Sequence, residues 1–154
     1  MQYLLLCYNY THRTGGGAMG RRLLWILLVL LLGFIWGHSL QNGRVSQAES
    51  QSVLHLALNR WGTLPGMGYL NFYTIRKLAH LTEFAALGMV LEGLAGRSFL
   101  ALLLGGTVGA VDEFLQLFSP DRSAQVSDIL LDTLGVLAGI LLCRLLRWLW
   151  KKGK

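Results

Sequence analysis

The 154-residue chain is 53% hydrophobic and 14% charged, too apolar for an ordinary soluble domain of this length. Its net charge of +6 does not point to nucleic acid, because Lys and Arg stand at the ends of apolar runs instead of along one amphipathic face. What remains is a membrane protein, read as a single domain.

At about 20 apolar residues per crossing, four helices are predicted, roughly 23–40, 77–95, 98–118 and 124–150. The fold class is therefore all-α, an integral membrane four-helix bundle. Residues 1–22 read as an N-terminal cytoplasmic segment, in which Met19, after the Gly15-Gly16-Gly17 run, is a second candidate start. Residues 23–150 form the membrane domain, with an outer loop at 41–76, and 151–154 a basic cytoplasmic tail. Arg21, Arg22 and the run after them resemble a signal peptide, but no A-x-A-like site follows and three more spans do, so the first helix is read as retained.

Four spans put both termini on one side, together with Arg13, Arg21, Arg22, Arg97, Arg144, Arg147, Lys151, Lys152 and Lys154. Arg44, Arg60, Arg76, Lys77 and Arg122 fall on the other. The positive-inside rule then assigns both termini to the cytoplasm. Cys7 and Cys143 have no spacing for zinc or a disulfide framework and read as inert.

After the first span, which ends near Trp36, His38 and Ser39, comes the long loop, polar over 41–52 and mixed over 53–61. Pro65, Gly66 and Gly68 predict a turn over 63–68. Trp61, Tyr69, Phe72 and Tyr73 read as an interfacial belt, where amphipathic rings favour the headgroup region. The second span opens with Lys77, His80 and Glu83 at three-residue steps, which drift slowly round a helix, so all three are expected to edge one crevice. At its inner end Glu92 and Arg97 read as a terminal pair.

The third and fourth spans carry the most informative pattern. Gly105, Gly109, Asp112 and Gln116 fall at i, i+4, i+7 and i+11, one stripe of an α-helix. Asp128, Asp132, Gly135 and Gly139 repeat that spacing, and because the two helices are antiparallel, glycines match glycines in depth and acids match acids. Small residues let helices approach closely in lipid, so this hairpin is expected to zip together at its glycines and to part at its polar end. The connection is turn-like, with Pro120 ending the third helix, Ser123 or Ser127 as candidate caps of the fourth, and Arg122 above Asp112, Glu113, Asp128 and Asp132.

Lys77-x-x-His80 and Asp112-Glu113-x-x-Gln116, followed by Phe118-x-Pro120-x-Arg122, Asp128 and Gly135, resemble the VanZ-like family of bacterial membrane proteins over roughly 39–142. The family pattern usually has glycine where this chain has Asp121, and asparagine where it has Asp132. The resemblance implies a four-helix integral membrane protein. The family is named after a member associated with resistance to the lipoglycopeptide teicoplanin, and the resemblance implies no settled biochemical activity.

A bland reading of the acids is a salt-bridge network with Lys77, His80 and Arg122 that fastens the helices. Ionisable groups inside a membrane cost roughly 2.5–3.5 kcal/mol each on insertion scales, and packing alone does not need so many. The acids Glu83, Asp112, Glu113, Asp128 and Asp132 also outnumber Lys77 and Arg122, so shared protons, water, a cation or a cationic ligand must balance them. The leading expectation is a ligand-binding crevice of Lys77, His80, Glu83, Asp112, Glu113, Gln116, Arg122, Asp128 and Asp132, open toward the outer leaflet and taking the headgroup of an amphiphile. Such an amphiphile is an envelope lipid or, by the resemblance, a lipoglycopeptide antibiotic.

The second expectation is an enzyme acting on a lipid-linked substrate, with Glu113 or Asp112 as general base and His80 as acid or base. No nucleophile with an adjacent base is evident, and Ser39 is a speculative recruit. The third, coupled transport, is opposed by acids clustered at one side and by the glycine-packed inner half. No cofactor is expected, and no metal, since no helix carries H-E-x-x-H or a comparable ligand spacing. Partners are membrane lipids and the amphiphile, without nucleic acid; oligomeric state is left open.

Overall fold

Long leucine-rich runs can satisfy their backbone in an apolar medium only by closing every N–H to C=O bond within the segment, and the computed structural model is accordingly helical. It describes residues 17–122 and 124–153; Cys7, Arg13, Ser123 and Lys154 lie outside the described residues. Its helices are α1 (Gly17–Ser39), α2 (Gly43–Trp61), α3 (Phe72–Ala95), α4 (Ser98–Gln116) and α5 (Val126–Lys152), with a 3-10 turn at Met67–Tyr69. Among the described residues, four segments are long and apolar enough to cross a membrane: Met19–Ser39, Phe72–Ala95, Ser98–Gln116 and Val126–Lys152. The predicted all-α membrane bundle is thus what the chain forms, with shifted boundaries.

Helix α3 starts earlier than expected, at Phe72, because Asn71 caps it, its side-chain oxygen accepting from the Thr74 N–H at 2.9 Å and from the Thr74 hydroxyl at 3.1 Å. Phe72 and Tyr73 therefore stand in the first turn of a helix instead of in a loop. The helix ends at Gly96, whose φ of 64° closes the chain with a bond from its N–H to the Glu92 carbonyl, an arrangement open to glycine at no steric cost.

The expected loop also contains a helix. Asn42 caps α2 by accepting from the Arg44 N–H at 2.9 Å, and the buried stripe of α2 is Gly43, Ser46 and Ser50. A face made of glycine and serine has no apolar period, which is why hydrophobic patterning does not reveal it. Small residues there let α2 lie close to its supports: the Gly43 N–H donates to the Pro120 carbonyl at 2.9 Å, and a Cβ at Gly43 would fall inside the Asp121 carbonyl group.

Within the bundle, α1 turns a stripe of Leu24, Leu28, Leu32, Ile35 and Ser39 inward, while Trp25, Ile26, Val29, Leu30 and Phe34 are exposed. An outward face so apolar is suited to lipid rather than water. The core is Ile35, Phe84, Leu87, Leu91, Ala101, Val136 and Ile140.

The glycine stripes pack differently from the expected zipper. α5 makes its most extensive interface with α3, and Gly135 and Gly139 serve that interface: a Cβ at Gly135 would lie 2.9 Å from the Leu81 carbonyl oxygen and from Phe84 Cβ, and one at Gly139 would fall inside the Ala85 carbonyl group. Gly88 of α3 is equally tight against the Val136 backbone. Gly105 and Gly109 of α4 do face α5, but they meet Val136 and Asp132, with a Cβ at Gly109 lying 3.1 Å from Asp132 Cβ. Spacing identifies a close-packing face, and says nothing of which neighbour occupies it.

Candidate functional site

One end of the bundle is where α1 and α4 finish and α3 and α5 start, and the polar residues of all four meet there. At about 1.5 Å per residue, Asp112 lies roughly 6 Å before the end of α4 and Asp132 roughly 9 Å below the start of α5. Asp112, Glu113, Gln116 and Asp132 are all buried, Asp112 completely.

Four of these contacts form a connected network around α4. The Ser39 hydroxyl donates to Asp112 Oδ1 at 2.5 Å, and the Gln116 amide donates to Asp112 Oδ2 at 3.2 Å and to Glu113 Oε1 at 3.0 Å. The other Glu113 oxygen, Oε2, accepts from the Gln125 backbone N–H at 2.8 Å. Gln125 is the N-cap residue of α5 and makes no side-chain cap bond. The expected cap at Ser127 is therefore not what holds this helix start, and Glu113 binds one of its free donors from the neighbouring helix.

Beside the network lies a crevice of about 450 Å³, lined by Gly43, Gln47, Phe72, Tyr73, Arg76, Lys77, His80, Asp121, Arg122, Gln125, Asp128, Leu131 and Asp132. Lys77 pairs with Asp128 at 3.5 Å, and His80 Nδ1 stands 3.7 Å from Asp132 Oδ1. Of the expected site residues, Lys77, His80, Arg122, Asp128 and Asp132 line this space, with Asp112, Glu113 and Gln116 in the adjoining network. Glu83 does not edge it. Its Oε1 lies 3.6 Å from His38 Nδ1 on α1, so the three-residue step carries it off the crevice.

Arg122 is half-buried in the wall. Among the described residues its buried Nε and Nη1 have no hydrogen-bond partner. Burial, and then the like charge of Arg76, push the guanidinium pKa down from its ordinary value, against the pull of Asp112 and Glu113. Asp132 is the other under-satisfied group: it is 1% exposed, and neither oxygen has a hydrogen-bond partner among the described residues.

Sequence reasoning missed Arg76, whose Nη2 donates to Gln116 Oε1 at 3.4 Å, and His38. It marked Asp121 only as a departure from the family pattern, which usually has glycine there, and not as a site residue. The structure accounts for that departure. Asp121 has a φ of 57°, the left-handed region that glycine enters freely and aspartate tolerates, and its side chain accepts from Arg44 Nε at 2.9 Å, tying α2 to the rim of the crevice.

The opposite end holds a separate contact. Glu92 is buried and does not pair with Arg97. Its Oε1 accepts from the Ser98 hydroxyl at 3.1 Å and lies 3.7 Å from Arg147 Nη2 on α5.

The family model described as VanZ/LLP1 matches residues 24–147, which takes in most or all of each of the four apolar helices and every residue of the crevice. No match was found among curated proteins or among solved structures.

Proposed function

The chain belongs to the VanZ/LLP1 family, and from that premise we propose that it is an inner-membrane protein whose crevice binds the headgroup of an amphiphile. The observation that carries this reading is Arg122. A guanidinium with two buried, unpartnered nitrogens in the wall of an open crevice gains most from an anionic group that accepts two bonds at once, as phosphate and carboxylate do. Lys77 stands in the same wall and adds a point charge. The apolar part of the ligand has a place on the exposed rings of Tyr69, Tyr73 and Phe118, which suit the boundary between headgroups and acyl chains.

The distribution of Lys and Arg supports cytoplasmic termini, which turns the crevice toward the outer leaflet. An anionic envelope lipid or a lipoglycopeptide antibiotic has the required chemistry, and through the latter the protein contributes to teicoplanin resistance. The test is mass spectrometry of what co-purifies with the full chain in mild detergent. A lipid or added teicoplanin is expected on the wild type and absent from Arg122→Ala; equal amounts on both proteins would remove Arg122 and the crevice from ligand binding.

A second reading, an enzyme acting on a lipid-linked substrate, is favoured by His80 and Asp132 standing 3.7 Å apart in the crevice wall, within reach of acid–base chemistry on a bound molecule. Glu113 is less suited to the role of base, because both its oxygens already accept bonds. Turnover of a polyprenyl phosphate or phospholipid by the wild type, lost in Asp132→Asn, would favour this reading over simple binding.

A further inference from the structure

We infer that His80 of α3, Asp112 of α4 and Asp132 of α5 form a binding site for one divalent cation of the zinc class, with a coordination position left open toward the crevice. The inference goes beyond amphiphile binding and does not depend on it.

Position is the first argument. One ligand atom from each residue lies within 4.8 Å of those of the other two. His80 Nδ1 and Asp132 Oδ1 are 3.7 Å apart, too far for a hydrogen bond yet near the spacing of two donors on one ion. With bonds of about 2.0–2.2 Å, donors at tetrahedral angles stand about 3.4 Å from each other, so the His80–Asp132 pair needs to close by a few tenths of an ångström, and the rest of the set, within 4.8 Å, by no more than about 1.4 Å.

Burial at Asp132 points to a cation independently of proximity. Asp132 is 1% exposed and both its oxygens lack a hydrogen-bond partner among the described residues. An ionised carboxylate in that condition carries a large desolvation cost unless a proton or a cation meets it. Its position is not slack: Gly109 admits the Asp132 Cβ at close range, where a side chain would push it away. Asp112 is held more firmly still, by Ser39 at 2.5 Å and Gln116 at 3.2 Å, the outer-partner bonding that orients metal-ligating carboxylates and leaves each oxygen a further lone pair.

Charge and donor type select the ion. Counted as fully ionised, Glu83, Asp112, Glu113 and Asp132 exceed the nearby Arg76 and Arg122 by two charges, while Lys77 and Asp128 neutralise each other. One divalent cation closes that difference. An imidazole with two carboxylates suits zinc and its transition-series neighbours better than magnesium or calcium, which prefer oxygen alone. Three protein ligands with a free fourth position is the arrangement of zinc sites that bind a further molecule. No helix supplies more than one ligand, and so no spacing within a segment discloses the set.

The test uses the full chain in detergent, stripped with a chelator and dialysed against zinc in excess magnesium. The wild type is expected to retain about one zinc per chain, and Asp132→Asn to lose affinity by more than the roughly 10–100-fold that an outer partner is worth. Glu49→Gln, at an exposed carboxylate of α2 that accepts from Gln41 and faces His38 away from the crevice, is expected to retain zinc. No zinc on the wild type, which is the result if Asp132 is protonated instead, overturns the inference, as does equal retention by Asp132→Asn or equal loss in Glu49→Gln. Cobalt(II) on the wild type keeps the question decidable where Asp132→Asn does not fold. Intense visible bands of a low-coordinate ion are expected, and the pale spectrum of hydrated cobalt would overturn the inference.

Discussion

The Ser39 hydroxyl donates to Asp112 Oδ1 at 2.5 Å, and the Ser39 carbonyl in turn accepts from the Ser119 hydroxyl at 2.7 Å. One residue at the end of α1 therefore holds both the buried acid of α4 and the turn that follows it. Ser39→Ala would remove the donor while leaving Asp112 buried. An unsatisfied buried group costs about 1–3 kcal/mol, so thermal unfolding in detergent should show a clear loss of stability, and zinc affinity should fall about tenfold if Asp112 is a metal ligand. An unchanged melting temperature would mean that Asp112 is satisfied in another way.

Glycine positions that look alike in sequence should respond in opposite directions. At Gly139 a Cβ falls inside the Ala85 carbonyl group, whereas at Gly106 the nearest neighbour is Thr133 Oγ1 at 3.5 Å, an ordinary contact. Gly139→Ala must push α5 away from α3, an overpacking cost of about 1–3 kcal/mol. Gly106→Ala should be neutral or slightly stabilising, since alanine is the better helix former. Melting temperatures of the two variants compared with wild type check the contrast.

This contrast also marks where sequence patterning stops. Gly105, Gly109, Gly135 and Gly139 were legible as close-packing positions because helical period alone places them on stripes. Their partners were not legible, because Gly135 and Gly139 press on α3, which no feature of the hairpin sequence indicates. The meeting of Asp112 and Asp132 could be read from matched depth in antiparallel helices, and Lys77 and His80 from their place at the start of α3. Helix α2 escaped because its buried face is Gly43, Ser46 and Ser50, and Arg76 escaped because its bond to Gln116 depends on the crossing of two helices distant in sequence.

At the other end, Glu92 is the partner of Arg147 and Ser98, and Arg97 stands outside the pair. Removing one member of a buried ion pair strands the other, at roughly 3–5 kcal/mol. Glu92→Ala is therefore expected to be strongly destabilising and Arg97→Ala close to neutral. Equal effects from the two in thermal unfolding would restore Arg97 as the relevant cation.

At Asp121 two contributions can be separated. Its φ of 57° costs a non-glycine residue roughly 1–2 kcal/mol, and its exposed pair with Arg44 returns about 0–1 kcal/mol. Asp121→Gly relieves the first and gives up the second, and should be neutral to modestly stabilising, by about 0–2 kcal/mol. Asp121→Ala gives up the pair without the relief, and should be the less stable of the two when both are unfolded under the same conditions.

Arg122 separates a fastening role from a binding one. If its task were to clamp the acids together, replacing it with methionine, similar in reach but uncharged, would strand Asp112 and Glu113 and lower stability by several kcal/mol. If it is held ready for an external anion, the protein already bears the cost of burying two nitrogens without acceptors, and methionine removes that cost. Glu113 has its own bonds to Gln116 and Gln125, and Asp112 to Ser39 and Gln116, so neither acid relies on Arg122 for hydrogen bonding. Arg122→Met is expected to match or exceed the wild-type melting temperature while losing the co-purifying amphiphile, the trade of stability against function seen where a site is left unsatisfied for its ligand. A marked fall in melting temperature would instead make Arg122 part of the frame.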